Sequence, residues 1–436
     1  MRRLFLPLGL AAAFLSPTLA VAQEDAGAPA LSSKPSTPPA PPAAVMPAVP
    51  SLPTETDGPL TLEAALSLAA ASNFSLSAAA RELDASEGGI MQARTIPNPE
   101  LATQMEDTRR STRSTTAQVN IPIELGGKRS ARIDAAERSR ELAQAALASV
   151  RGDIRAQVIE SFFAVLIAQE RVKLATGSAD IAARGAQATA RRVAAGKVSP
   201  VDETKAKVEQ ANAELELAEA TAGLQSARQA LTALWGNASP RFAQAQGNLD
   251  ALPSRPAPDV LQQALDTAPL VAASRAEFDR RQALVNVERS RQYPDLTVSL
   301  GAKRDNEANR NMAVLGLAIP LPLFDRNQGN LYTAIRQADK AQDEYLANRI
   351  NLTRNLLQAS NQLSVSRASA QTLKDTVLPG AEQAFHAATI GFEAGKFNYL
   401  DVLDAQRTLF QARIRYLGVL GQTYQAATTI DRILGR

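Results

Sequence analysis

The stretch TTAQVNIPIELGGKRSAR, residues 115–132, changes its periodicity halfway along. Thr115, Ala117, Val119, Ile121 and Ile123 alternate with Thr116, Gln118 and Asn120, the two-residue period of a strand with one apolar face. Beyond Gly126 and Gly127 the chain becomes rich in Ala, Arg, Gln and Leu and meets no proline before Pro200, which is the composition of a long helix. The Gly-Gly-Lys step is not a phosphate-binding loop. That motif needs a glycine five residues before the Gly-Lys pair and a Ser or Thr after it; Pro122 and Arg129 occupy those places.

A variant of the same junction, AIPLPLFDRNQGNLYTAIRQ, returns at 318–337. Three landmarks repeat in register. NPEL at 98 meets YPDL at 293, IPI at 121 meets IPL at 319, and AAGK at 194 meets EAGK at 393, with offsets of 195, 198 and 199. This is a tandem duplication, with one repeat over 60–252 and the second over 253–436. Each repeat reads as helix, hairpin, helix. Strands are expected at about 99–106, 115–123, 295–303 and 312–321.

In the second copy Leu296, Val298, Leu300 and Ala302 alternate with Thr297, Ser299, Gly301 and Lys303. Ala313, Leu315, Leu317, Ile319 and Leu321 then fall on one face, in phase with Ile121 of the first copy. Ten-residue strands that are apolar on one side and polar on the other, joined by polar loops (DTRRSTR, RDNEANRN), fit a membrane barrel. Half-buried hairpins of a soluble domain share that pattern. Four strands cannot close a barrel, since about eight is the usual minimum; three chains would supply twelve.

The helical segments carry apolar stripes. Leu147, Val150, Ile154, Val158, Phe162 and Val165 recur at spacings of three and four, and Leu403, Phe410, Leu417 and Tyr424 stand seven apart as in a coiled coil. A proline-free run of this length makes a rod of roughly 100 Å at about 1.5 Å per residue.

Composition narrows the function classes. Arg2 and Arg3, the apolar run Leu4–Leu15 and Ala20-Val21-Ala22 form a signal peptide over 1–22. Its removal takes two arginines and no acids, so the net charge falls from +3 to +1, which is no footprint for nucleic acid. Residues 23–59 hold ten of the 25 prolines and read as a disordered tether. With no cysteine the chain has no disulfide, no thiolate metal site and no lipidated N-terminal cysteine. His386 is the one histidine and reads as an ordinary helix residue; no metal-ligand cluster, cofactor loop or nucleophile–base pattern is present, so no cofactor and no enzyme activity are expected.

The duplicated plan, together with GKFNYLDVLDAQ (395–406) and IPIELGGKRSAR (121–132), resembles the TolC-like outer-membrane efflux proteins, and the second motif resembles their cobalt–zinc–cadmium, CzcC-type branch. The resemblance covers residues 60–434. It implies a homotrimer whose twelve-stranded barrel in outer-membrane lipid continues into the periplasm as an α-helical tunnel. It also implies a passive exit duct coupled by a periplasmic adaptor to an inner-membrane pump of the resistance–nodulation–division (RND) class. The turns RRVAAGKVSPVDETKA (191–206) and GFEAGKFNYLDVLDAQ (391–406) match the family's periplasmic tips. Arg192, Gly196, Val198, Ser199, Gly395, Phe397 and Asn398 are then candidate adaptor-docking residues. Asp401 and Asp404, spaced i and i+3, match carboxylates lining the periplasmic aperture. Phe392 and Phe397 stand where the best-known member has a tyrosine and an arginine that hold the aperture closed through polar bonds. The branch implies divalent cations of cobalt, zinc, cadmium or nickel as cargo; the alternative is the same duct exporting drugs, other small molecules or secreted polypeptide. A soluble periplasmic coiled-coil scaffold is the reading from another class.

Overall fold

The computed structural model describes residues 58–397 and 399–436. The expected signal peptide, and the tether up to residue 57, lie outside the described residues, as does Asn398.

Each half of the described chain runs through the same order of elements. The first has helices α1 (Leu62–Ser72) and α2 (Phe74–Arg94), strands β1 (Glu100–Glu106) and β2 (Ser114–Ile123), and the long helices α3 (Lys128–Ala194) and α4 (Pro200–Ala233). The second has α5 (Pro258–Gln263) and α6 (Pro269–Ser290), β3 (Leu296–Asp305) and β4 (Arg310–Ala318), then α7 (Gln328–Thr372), α8 (Leu378–Glu393) and α9 (Tyr399–Leu434). α3 has 67 residues, about 100 Å of rod. Its counterpart is α7 and α8 joined through a π-helical turn at Leu373–Val377. Pro379 explains the turn: it has no N–H to offer the Asp375 carbonyl, and its ring crowds that carbonyl, so the backbone widens there.

The four strands form one antiparallel sheet in chain order, with β2 and β3 joining the two halves. The register places Leu101, Val119, Leu300 and Leu315 in one row and Ile121, Val298 and Leu317 in the next. Gly301 is required because a Cβ there would collide with the Ala117 carbonyl and with Gln118 of the paired strand. β4 ends at Ala318 rather than reaching 321 as the alternation predicts. Pro320 and Pro322 have no ladder donor to give. Pro122 is tolerated in β2 because the ladder with β1 ends at Asn120.

Helix and sheet meet at the quoted junction. Gly126 and Gly127 both adopt the left-handed conformation (φ +71° and +72°), and Tyr293 lies so close to Gly126 that no side chain fits. Lys128 opens α3 and pairs with Asp295 at 2.7 Å, and Asp295 also accepts from the Leu125 N–H. Arg132 pairs with Glu124 on both oxygens.

Two equivalent cores hold the rods together. In the first half Val158, Phe162 and Val165 of α3 pack against Leu231, Trp235 and Phe242 and against Ala65 and Ala69 of α1. In the second, Leu352 and Leu356 of α7 pack against Leu261, Leu265 and the Ile430–Leu434 end of α9. Tyr424 bridges the halves: its ring stacks on Phe163, and its hydroxyl donates to the Ala251 carbonyl at 3.0 Å. Leu403, Leu417 and Tyr424 of the heptad stripe are buried.

Candidate functional site

Two regions carry the chemistry. The first is the sheet, whose burial is inverted relative to that of a soluble protein. Along β2 the apolar residues Ala117, Val119, Ile121 and Ile123 are exposed, while Thr116, Gln118 and Asn120 on the other face are partly covered. Leu101 and Leu315, which flank Val119 and Leu300 in one row, are 72% and 76% exposed. The opposite face is a hydrogen-bonded polar lining. Ser299 donates to Asn120 at 2.8 Å, Gln118 donates to the same oxygen, and Lys303 and Ser114 both bond Glu106. A sheet that turns leucine outward and satisfies its polar groups inward suits lipid outside and water within. Tyr293 and Phe324 are exposed at the helix side of this apolar band. Among the described residues no helix is long and apolar enough to cross a membrane.

The second region is the pair of helix–helix turns, and the two are built alike. At the end of α3, Gly196 has φ +71°, its N–H bonds the Val193 carbonyl, and the Lys197 N–H bonds the Arg192 carbonyl. At the end of α8, Gly395 has φ +73°, its N–H bonds the Phe392 carbonyl, and the Lys396 N–H bonds the Gly391 carbonyl. These are Schellman closures, which require a left-handed residue where each glycine stands. Ser199 then caps α4 by accepting from the Val201 N–H at 3.2 Å, with Pro200 in the first helical position.

The tips differ in what they present. Val198 is half-buried and Ser199 exposed. Phe397, the residue equivalent to Val198, is 49% exposed and folds its ring over Gly391, where no Cβ would fit. Nothing in the sequence around Gly391 signals this close approach. The two tips touch: the Arg192 guanidinium sits 4.0 Å from the centre of the Phe392 ring. Asp401 and Asp404 lie exposed on one face of the first turns of α9, opposite the buried Val402, Leu403 and Gln406.

Further along the rods, polar ties cross between the repeats that no local sequence pattern marks. Arg407 of α9 pairs with both oxygens of Glu209 of α4, and that hydrogen-bonded carboxylate holds the guanidinium above its ordinary pKa. Glu209 stands thirteen residues beyond Gly196 and Arg407 twelve beyond Gly395, so the duplication offset was the signal that could have paired them. Burial, then the nearby charges of Glu209 and Glu219, push the Glu216 carboxyl up. Gln406 donates to the Ser178 carbonyl at 3.4 Å, both residues lining a cavity of about 1030 Å³, while the Gln406 side-chain oxygen has no partner.

Comparison with known proteins agrees with this geometry. The family described as outer membrane efflux protein matches residues 65–237 and 260–436. The cobalt-zinc-cadmium resistance protein CzcC of Cupriavidus metallidurans is 83% identical over 436 residues, all of both chains. A membrane protein from Pseudomonas aeruginosa has the same fold, with a TM-score of 0.76 at 20% identity over 87% of this chain and 93% of that chain. The outer membrane protein VceC of Vibrio cholerae gives 0.73 at 20% identity, over 86% and 96%. With a duplicated rod-and-hairpin fold, an outward apolar sheet and a match across both halves, the chain belongs to the outer membrane efflux protein family, a family of transport channels.

Proposed function

We propose that the chain is the outer-membrane exit duct of a tripartite system that exports divalent heavy-metal cations. The observation that carries this reading is the full-length, 83% identity to a cobalt-zinc-cadmium resistance protein. The geometry supports the duct. Each chain brings four strands with an apolar outer face. Three chains bring twelve, enough to close a water-filled barrel. The rods, about 100 Å long, continue the barrel into the periplasm as a tunnel.

In this reading the repeats 60–252 and 253–436 each supply one hairpin and one pair of rods. Arg192, Gly196, Val198 and Ser199 on one tip, with Gly395, Phe397 and Asn398 on the other, receive the periplasmic adaptor. An inner-membrane RND-type pump delivers cargo through that adaptor. Asp401 and Asp404 from three copies ring the entrance with six carboxylates, whose field draws cations in. Phe392 and Phe397 shape the same aperture. The duct itself performs no chemistry: it is passive, and the protein is not an enzyme.

The test is growth of a deletion strain across divalent metals, silver and common drugs, with the chain restored from a plasmid. Sensitivity to zinc, cobalt, cadmium or nickel, reversed by the plasmid, is the expected result. Sensitivity confined to drugs would overturn the metal cargo and leave the duct.

A further inference from the structure

The outward apolar face of the sheet ends in arginine. Going away from the helices, the row of Leu101, Val119, Leu300 and Leu315 is followed by Thr103, Ala117, Ala302 and Ala313. The next row is Met105, Thr115, Arg304 and Asn311. The pairing of β2 with β3 then runs one step further, because the Arg113 carbonyl accepts the Asn306 N–H at 3.2 Å. The alternation therefore sets Arg113 on the same face as Thr115 and Ala117. Arg113 and Arg304 are diagonal neighbours on adjacent strands, about 7–8 Å apart at the backbone and within reach of one anion. Both extend the central strands, away from the open edges β1 and β4.

Their charges are held in place without being neutralised. Arg304 donates to the side-chain oxygens of Asn311 at 3.2 Å and Asn309 at 2.6 Å, and no carboxylate pairs with it among the described residues. The Arg113 Nε is buried without a partner. Asn306 ties the two hairpin loops together, its side chain donating to the Arg110 carbonyl at 3.1 Å.

Over 106–113 and 303–310 six basic residues meet four acids, and three of those acids are engaged. Asp107 accepts from the Arg109 N–H and the Thr112 hydroxyl, and Asp305 from the Ala308 N–H. Glu106 pairs with Lys303 on the inner face. Glu307 is the fourth acid. The rim is therefore cationic, and most so on its outward side.

Charge on a lipid-facing strand is costly at the bilayer centre and nearly free at its boundary, so these arginines mark a boundary. An aromatic girdle usually stands there. The hairpins 99–123 and 295–321 hold no Phe, Tyr or Trp, and guanidiniums take that place. Tyr293 and Phe324 serve only the helix end of the apolar band.

With the rods in the periplasm, this rim meets the outer leaflet, whose lipid carries phosphorylated sugars. We propose that Arg113 and Arg304 bind the phosphates of that glycolipid, lipid A. A guanidinium matches phosphate through paired N–H···O bonds, and Arg304 is already oriented by its two asparagines. Arg110, in the adjoining turn, adds to the field. The site rests on the proposed orientation of the duct, and it sets the height at which the sheet sits in the membrane.

The test titrates the full-length protein in mild detergent with purified lipid A, followed by native mass spectrometry. Bisphosphorylated lipid A is expected to bind about tenfold or more tightly than its dephosphorylated form, which is what losing a charge-assisted hydrogen bond or two costs. Arg113→Gln/Arg304→Gln should lose about the same factor, while Arg354→Gln, exposed on α7, should lose nothing. If the double variant misfolds, the comparison of the two lipids on the unaltered protein decides alone. Equal affinity for the two lipids, or for variant and unaltered protein, would overturn the site. Equally tight binding of phosphatidylglycerol would also overturn it, by making the rim a general anion surface. The orientation is read separately. Ser111→Cys, in a chain with no cysteine of its own, should react with a membrane-impermeant maleimide on intact cells. Labelling without phosphate-dependent binding would overturn the site and leave the orientation; no labelling would overturn both.

Discussion

The guanidinium of Arg192, in the last turn of α3, stacks 4.0 Å from the ring centre of Phe392, in the last turn of α8. One tip supplies the cation and the other the π-face, and the two are 200 residues apart. Phe392 cannot accept a conventional hydrogen bond, so this contact supplies a tie between the repeats where side-chain polar bonds are unavailable to it.

That tie sets the first prediction. A cation–π contact at an exposed site is worth about 0.5–1 kcal/mol. Arg192→Ala and Phe392→Leu should each shift the balance of open and closed entrances by roughly two- to fivefold, from that energy at RT of about 0.6 kcal/mol. Channel conductance in planar bilayers measures the shift. The double variant should do no more than either single one; full additivity would mean the two side chains act separately.

Gly391 separates two roles for glycine at the second tip. Gly391→Ala puts a methyl group into the space of the Phe397 ring and should expel it, costing about 1–3 kcal/mol locally as overpacking does. Gly395→Ala instead strains a left-handed residue with open space around it, at a cost of about 1–2 kcal/mol. Hydrogen exchange of the amides at 394–397 should rise in both. Only Gly391→Ala should also change the accessibility of Phe397 to a hydroxyl-radical probe.

Asp401→Asn and Asp404→Asn should lower the preference of the channel for cations, read as a smaller reversal potential across a salt gradient. The difference should shrink in molar salt, where the Debye length falls from about 8 Å to about 3 Å. An unchanged reversal potential would place both carboxylates away from the ion path.

Burial pushes the Tyr424 hydroxyl up to about 12. Burial, with the neighbouring Asp250 carboxylate that accepts a hydrogen bond from it, does the same for Tyr416. An unfolded tyrosine titrates near about 10, so these groups contribute stability that is complete below that pH and is lost as pH rises through about 12. Thermal stability should therefore fall over that window, and tyrosinate absorbance should appear late. Tyr424→Phe should cost about 0.5–1.5 kcal/mol at neutral pH through the lost hydrogen bond to Ala251, and should flatten part of the alkaline fall.

Much of the architecture is written locally. The alternation from Thr115 to Ile123 and the glycines at 126, 127, 196 and 395 each state a conformation through their own neighbours. The alternation also carried the last strand too far, to 321, because the apolar phase persists through Ile319 and Leu321 while Pro320 and Pro322 remove the donors that pairing needs.

The sequence by itself determined the duplication, the rods and the hairpins, because periods of two and 3.6 are properties of adjacent residues. That the apolar face of the sheet is the exposed one was decided by the tertiary structure. Only the tertiary structure decided which residues of one repeat meet those of the other: Arg192 with Phe392, Glu209 with Arg407, Gln406 with Ser178. Those meetings depend on the level and rotation of rods packed side by side. One π-helical turn before Pro379 resets the rotation of α8 by adding a residue that no periodicity count registers.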